Sequence, residues 1–301
     1  MSDTSNMTTF VIGGLPVSVF GLDPTRTHSP HGLAVIFLLH GRFGSAADRR
    51  ISFFANSLIS HSQSQSGAGK DLLVVTFDQR NHGERVVEAQ RNNGWKEKGT
   101  KDRIENESHA VDMYSIQTGT ARDVSFLIDF LALTIFKYDE RTITDYFVTG
   151  ISLGGHSTWL ALAHDPRITL GIPIIGSPSI LTLLSHRAAS LAAPLGPLPI
   201  AAPYFPKSFL DLIERHDPVN VSIEAWKDKR ILVLSGEDDT LVNYGDGGTD
   251  TWVQKLKAAG VDVDVVVQSG VGHALSPEMV QLACEYVWEK GLKVPSQQAH
   301  M

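Results

Sequence analysis

The chain has 301 residues, of which 42% are apolar, and 26 Lys and Arg stand against 33 Asp and Glu for a net charge of −7. That length and apolar content support a full buried core, and α/β chains of this size often form one domain. The charges are scattered with no basic stripe, which argues against a nucleic-acid partner, and apolar runs such as Leu33–Leu39 are strand-sized, far below a membrane span.

In chain order, Met1 to Thr9 is polar and shows no apolar signal core. Thr9–Ile12 and Val17–Phe20, separated by Gly13-Gly14-Leu15-Pro16, predict an N-terminal hairpin. Leu33–Leu39 and Leu72–Phe77 are continuous apolar runs, the pattern of strands covered on both faces. Between them, Asp48–Ser60 has helical spacing along Ile51, Phe54, Leu58 and Ile59, and Ser62–Lys70 reads as a surface loop. Thr118–Phe136 predicts a helix with Val124, Leu127, Ile128, Leu131 and Ile135 on one face. Strands are predicted at Phe147–Thr149, Thr169–Ile175, Arg230–Leu234 and Val261–Val267, and helices at Thr249–Ala259 and Pro277–Lys290. Strands alternating with amphipathic segments predict a mostly parallel sheet with helices on both faces.

Two stretches break the alternation. One is the polar segment 84–117, and the other is 177–226, punctuated by six prolines from Pro178 to Pro206. Long insertions at the C-terminal ends of parallel strands are where ligands bind in open sheets. The second is expected to be a short cap, with Tyr204 and Phe205 as substrate-binding candidates, or else structural packing over a sheet edge. The expected organisation is a single domain over 1–301 carrying both insertions.

The chemistry concentrates at Gly150-Ile151-Ser152-Leu153-Gly154, which follows a β-prone run and precedes a helix-compatible stretch. Flanking glycines permit a sharp strand–turn–helix course that exposes the serine hydroxyl. A serine is a poor nucleophile at neutral pH, so it needs a base, and the base needs an orienting acid. Glu237-Asp238-Asp239 follows one predicted strand, and Gly270-Val271-Gly272-His273 follows the next. The order Ser, carboxylate, His is the order of a known nucleophile–acid–base set. His273 alone among the histidines combines a strand-end position with a Gly-flanked turn after the acid strand.

With Ser152 in Gly-x-Ser-x-Gly, Gly236-x-x-Asp239-x-x-Val242 and Gly270-x-x-His273, the chain resembles the α/β-hydrolase superfamily. It is most similar to the esterase-like branch and the prolyl-oligopeptidase-like or dienelactone-hydrolase-like branch, from about the Leu33 strand to the Pro277 helix. The resemblance implies an α/β-hydrolase fold with Ser152, Asp239 and His273 as the catalytic residues. It places the acid three residues after Gly236, favouring Asp239 over Asp238. His40-Gly41-Arg42-Phe43-Gly44 is similar to the family's His-Gly-x-x-Gly turn, which implies an oxyanion hole from the amides of Arg42 and Leu153. Phe43, beside that turn, is a further substrate-binding candidate. The Arg42 side chain is expected to pair with Asp48 or Glu84, or to reach an acidic group of the substrate. Asp78-Gln79-Arg80-Asn81-His82-Gly83 resembles a family turn in which Asp78 and Arg80 brace the loop.

No zinc-spaced Cys/His cluster, His-Glu-x-x-His or phosphate loop is present, so no metal or cofactor is expected. The expected activity is cofactor-independent hydrolysis of a small or medium carboxylic ester through an acyl-enzyme. A lactone, thioester, peptide or C–C bond substrate, and a non-catalytic small-molecule binder, remain alternatives. The single cysteine, Cys284, cannot form an internal disulfide, which fits a cytoplasmic setting. Ala299-His300-Met301 loosely matches a peroxisomal address, against a plain solvated tail.

Overall fold

The structure is a computed structural model that describes residues 7–23, 28–96 and 103–294. The first six residues and the Ala299-His300-Met301 tripeptide lie outside the described residues.

Eight strands form one sheet in the order β1-β2-β4-β3-β5-β6-β7-β8. The strands are β1 (Met7–Ile12), β2 (Leu15–Phe20), β3 (Leu33–Leu39), β4 (Asp71–Phe77), β5 (Ile143–Ile151), β6 (Ile168–Ile174), β7 (Arg230–Gly236) and β8 (Asp262–Gln268). β1 and β2 make the predicted antiparallel hairpin, β2 meets β4 antiparallel, and every other pairing is parallel.

Every residue of β3 is buried, and the strand's period of two divides it between two cores. Leu33, Val35, Phe37 and Leu39 join the core under α2 (His109–Ile135) and α3 (Leu153–His164), whereas Ala34, Ile36 and Leu38 join the core under α1 (Arg49–Ser64) and α7 (Pro277–Tyr286). Trp252, Val253 and Leu256 of α6 (Thr249–Ala258) belong to the first core. No helix among the described residues is long and apolar enough to cross a membrane.

The insertions differ from expectation. Helix α2 starts at His109, well before Thr118, because Ala110, Met113, Tyr114 and Ile116 are buried and prolong the apolar face through an outwardly polar stretch. The 177–226 segment contains two helices, α4 (Ile180–Ser190) and α5 (Lys207–His216). Their apolar residues, Leu184, Phe209 and Ile213 among them, join the core over α2 and α3. Phe205 is buried in that core, 5.5 Å from Trp95 and 6.4 Å from Phe209 between ring centroids.

The order of the sheet reverses at β3, with β4 on one side and β5 on the other. Crevices form at the carboxyl ends of strands at such a switch point. Leu39 pairs with Gly150, so the loop after β3 emerges directly beside the turn after β5.

Candidate active site

Ser152 occupies the one-residue junction between β5 and α3 with φ at +55°, a left-handed conformation costly for a residue with a Cβ. The surroundings hold it there. Its amide donates to the Ile174 carbonyl at 2.9 Å, and its own carbonyl accepts from His156 N at 2.9 Å. A Cβ on Gly154 would run into the Leu39 carbonyl, and one on Gly155 would stand 2.6 Å from the Ile174 oxygen. The glycines after the serine thus let α3 press against β3 and β6.

The turn aims the hydroxyl at His273, with Ser152 Oγ 2.7 Å from His273 Nε2. His273 Nδ1 lies 2.7 Å from Asp239 Oδ2. Asp239 Oδ1 accepts the amides of Leu241 and Val242, each at 2.8 Å. Asp239 is fully buried. Burial opposes its charge, but the His273 hydrogen bond and the two amides outweigh it and hold the pKa below the usual carboxylate value. An ionised Asp239 accepts a hydrogen bond from the Nδ1–H of His273, which leaves Nε2 with a lone pair facing the Ser152 hydroxyl. The structure therefore brings Ser152, His273 and Asp239 together from three loops. Asp238 is exposed and does not reach the histidine, and the Glu237 carboxylate accepts from the Ser269 hydroxyl.

Leu153 heads α3, where the first amides have no carbonyl four residues behind them. Arg42 stands in the turn Gly41-Arg42-Phe43-Gly44, closed by Gly44 N donating to Gly41 O at 3.1 Å. Phe43 takes φ at +63° in that turn, a conformation usually given to glycine. An ideal Cβ on Gly41 would come 3.8 Å from the Ser152 Cβ, so the turn passes close to the serine. His40 anchors it, with Nδ1–H donating to the Gly41 carbonyl at 2.8 Å and Nε2 accepting the Gln79 amide at 3.0 Å. Burial keeps His40 neutral by lowering its pKa, as these roles require.

A cavity of about 290 Å³ opens beside this constellation, lined by Ser152, His273, Arg42, Phe43, Leu241 and Leu275 among others. Phe43 is exposed at its mouth. Tyr204 and Phe205 are not brought to it: Phe205 lies in the core, and Tyr204 packs half-buried against the same core. The expectation that these two line the substrate site is corrected. Aromatic surface on the insertion gains more from burial against α2 than from facing a wet cleft.

Two further expectations change. Asp78 and Arg80 do not brace each other. Asp78 accepts the amides of Ala46 and Glu84, both at 2.7 Å, while Arg80 donates to both oxygens of Asp123 on α2, at 2.9 and 3.3 Å. The Arg42 guanidinium lies 4.7 Å from the Phe43 ring centroid and donates to the Asn92 carbonyl at 3.2 Å. Asp48 instead accepts the amide and hydroxyl of Ser45. Gln79, buried between His40 and Ser157, was not singled out by the sequence; its place inside the resembled turn after β4 was the one available signal. Among the described residues no group of three or more His, Cys, Asp or Glu is arranged to hold a metal ion.

The arrangement can move a proton from a hydroxyl to an imidazole while a buried carboxylate steadies the cation formed. Comparison with known proteins agrees with the fold. The model of the alpha/beta hydrolase family matches residues 36–283. Among solved structures, TT1662 from Thermus thermophilus is similar with a TM-score of 0.63 at 18% identity, covering 94% of this chain and 96% of that one. The Pyrococcus furiosus esterase Pf2001 is similar at a TM-score of 0.57 and 15% identity over 95% of this chain and 93% of that one. Est1E from Butyrivibrio proteoclasticus, with ferulic acid bound, gives 0.53 and 15% over 93% and 96%. No curated protein matches the sequence. At such identities the solved structures speak for the architecture alone, and with the family match over most of its length the chain belongs to the alpha/beta hydrolase family.

Proposed function

We propose that the protein is a serine hydrolase that cleaves carboxylic esters through an acyl-enzyme, with Ser152 as nucleophile, His273 as base and Asp239 as orienting acid. The observation that carries the reading is the unbroken chain of hydrogen bonds from Ser152 Oγ through both nitrogens of His273 to Asp239 Oδ2, each link 2.7 Å. Such a chain activates a hydroxyl at neutral pH, which an isolated serine cannot achieve.

In the first half-reaction, Ser152 Oγ attacks the ester carbonyl as its proton passes to His273 Nε2. The Asp239 carboxylate stabilises the imidazolium. The tetrahedral oxyanion lies against the amides of Leu153 and Arg42, donors fixed in place before the reaction begins. Collapse breaks the bond to the alcohol, which departs with the proton from Nε2. A water then gives a proton to Nε2, attacks the acyl carbonyl, and releases the acid while Ser152 Oγ is reprotonated. No external electron carrier is needed.

Labelling with a fluorophosphonate probe, followed by mass spectrometry of the modified peptide, tests the reading together with turnover of p-nitrophenyl esters. Labelling confined to the peptide with Ser152, and turnover that labelling extinguishes, are the expected results. A folded protein that neither labels nor turns over any ester would refute it.

A further inference from the structure

Arg187, on α4, approaches the site from the 177–226 insertion. It is half-buried, and its Nε and Nη2 donate to the Leu241 carbonyl at 3.2 and 2.7 Å. Leu241 shares the cavity wall with Ser152 and His273, and its amide holds Asp239. Among the described residues, no Asp or Glu lies within ion-pair distance of the Arg187 guanidinium. The Asp239 charge attracts it, but both carboxylate oxygens of Asp239 are already engaged by His273, Leu241 and Val242.

The other charge that Arg187 feels is Arg42, a like charge. Dehydration first, then Arg42, lowers the Arg187 pKa to about 10, still cationic at neutral pH. Both guanidiniums also act on His109, the first residue of α2. His109 is buried and neutral, with its Nδ1–H donated to the Asn93 carbonyl at 3.0 Å. Trp95 stands edge-on to it at 5.1 Å, and the buried Trp95 Nε1–H has no acceptor. Two cations and an unsatisfied N–H donor thus surround one neutral imidazole, and one of the cations, Arg42, lines the cavity.

Dehydrating a guanidinium against a single carbonyl is unfavourable, and a second guanidinium nearby adds to the cost. An anion received by the two reverses both terms, and the planar fork of Arg suits a carboxylate in particular. We propose that Arg187 and Arg42 form an anion-binding subsite, so that the ester opened at Ser152 carries a carboxylate elsewhere in the molecule. This deepens the serine-hydrolase reading and, for the ester, rests on it. Arg187 is then a specificity residue supplied by the insertion.

The test pairs p-nitrophenyl hemiglutarate, which is anionic, with neutral p-nitrophenyl pentanoate. The ratio of their kcat/KM values is measured for wild type, Arg187→Gln and Arg187→Lys. Glutarate and inorganic phosphate are titrated calorimetrically into Ser152→Ala with and without Arg187→Gln. Wild type should favour the hemiglutarate at least tenfold, Arg187→Gln should bring the ratio near one, and Arg187→Lys should fall between. Glutarate should bind Ser152→Ala and lose that binding when Arg187 is replaced. A wild-type ratio at or below one overturns the subsite. Equal losses on both esters also overturn it and leave Arg187 as a strap for the Leu241 loop. Tighter binding of phosphate than glutarate overturns the carboxylate assignment. If Arg187→Gln does not fold, an Arg187→Lys ratio identical to wild type, with glutarate binding absent in Ser152→Ala, overturns it in the same way. Arg187-dependent glutarate binding without turnover of any ester upholds the subsite and rejects the hydrolase reading. Turnover of the neutral ester without glutarate binding does the reverse.

Discussion

Gln79 holds His40 at two points: its backbone amide donates to His40 Nε2 at 3.0 Å, and its side-chain amide donates to the His40 carbonyl. All four groups are buried, and the loop after β4 thereby fixes the loop after β3 that carries Arg42. Replacing Gln79 by Leu leaves the His40 carbonyl dehydrated and unpaired at the root of the turn. The expected loss of stability is about 1–3 kcal/mol. In the proposed mechanism, kcat should also fall, by up to the roughly 10²–10³-fold of a lost oxyanion donor, with little change in KM. Steady-state kinetics and thermal melts check both. A loss of stability with full kcat would show that Gln79 supports the fold without positioning the turn.

Ser152→Ala should eliminate ester turnover, since removal of the nucleophile in a comparable set costs about 10⁶-fold in kcat. It should also relieve little backbone strain, because alanine keeps the Cβ that makes φ of +55° costly. Ser152→Gly is expected to be inactive yet to melt higher than Ser152→Ala. The comparison separates chemistry from conformation at one position, and equal melting temperatures would disprove the strain argument.

The acid assignment yields a ranking. Asp239→Asn keeps the shape of a fully buried side chain but cannot fix the Nδ1–H tautomer of His273 or stabilise its cation, an exchange that costs about 10⁴-fold in a comparable set. Asp238→Asn alters an exposed carboxylate and should change kcat/KM little. The reverse order in the two purified variants would transfer the role to Asp238.

The parts legible from sequence are those governed by short-range rules. Continuous apolar runs marked β3 and β4, and the Gly-x-Ser-x-Gly turn located the β5–α3 junction, because a sharp turn leaves a glycine signature that any sequence reading can detect. The 177–226 insertion was harder. Its prolines broke the strand–helix alternation and left a cap and structural packing both open. Helix α4 forms between Pro178 and Pro194 and α5 after Pro206. Of the two pocket candidates, Phe205 is a core residue and Tyr204 packs against that core. Composition reports that such side chains must be covered, not what covers them. The Arg80–Asp123 pair and the Arg187–Leu241 contact each join residues far apart in the chain, so no local pattern encodes them.

The burial of Phe205 makes a prediction opposite to a pocket role. Its ring packs near Trp95 and Phe209, and Phe209 in turn lies 5.9 Å from Tyr114 on α2. Phe205→Ala should cost about 3–5 kcal/mol by opening a cavity where the insertion meets α2. The relative kcat/KM along a p-nitrophenyl ester series from acetate to octanoate should keep its wild-type profile. A shifted chain-length optimum with unchanged stability would return Phe205 to the substrate site.

Burial of His156 should make the fold sensitive to acid. It is buried on α3, and its Nδ1 accepts the Ser177 amide at 2.9 Å, which requires the neutral ring. Burial is the main cause of a pKa near 3, against an ordinary 6.5, with Arg187 and His273 adding to the depression and Asp239 and the Ser177 carbonyl opposing it. Between those two values the unfolded chain binds a proton that the folded chain refuses. The stabilisation is therefore complete above pH 6.5 and is lost progressively as pH falls toward 3, on the order of 2 kcal/mol by pH 5. Asparagine at 156 offers an oxygen to the same amide and does not titrate. Melting temperature measured from pH 7.5 to 4.5 should fall less steeply for His156→Asn than for wild type. Some slope should persist, because His40 and His109 are also buried and held neutral. Parallel curves for the two proteins would mean that His156 titrates alike in the folded and unfolded states, and the acid sensitivity would then belong to other groups.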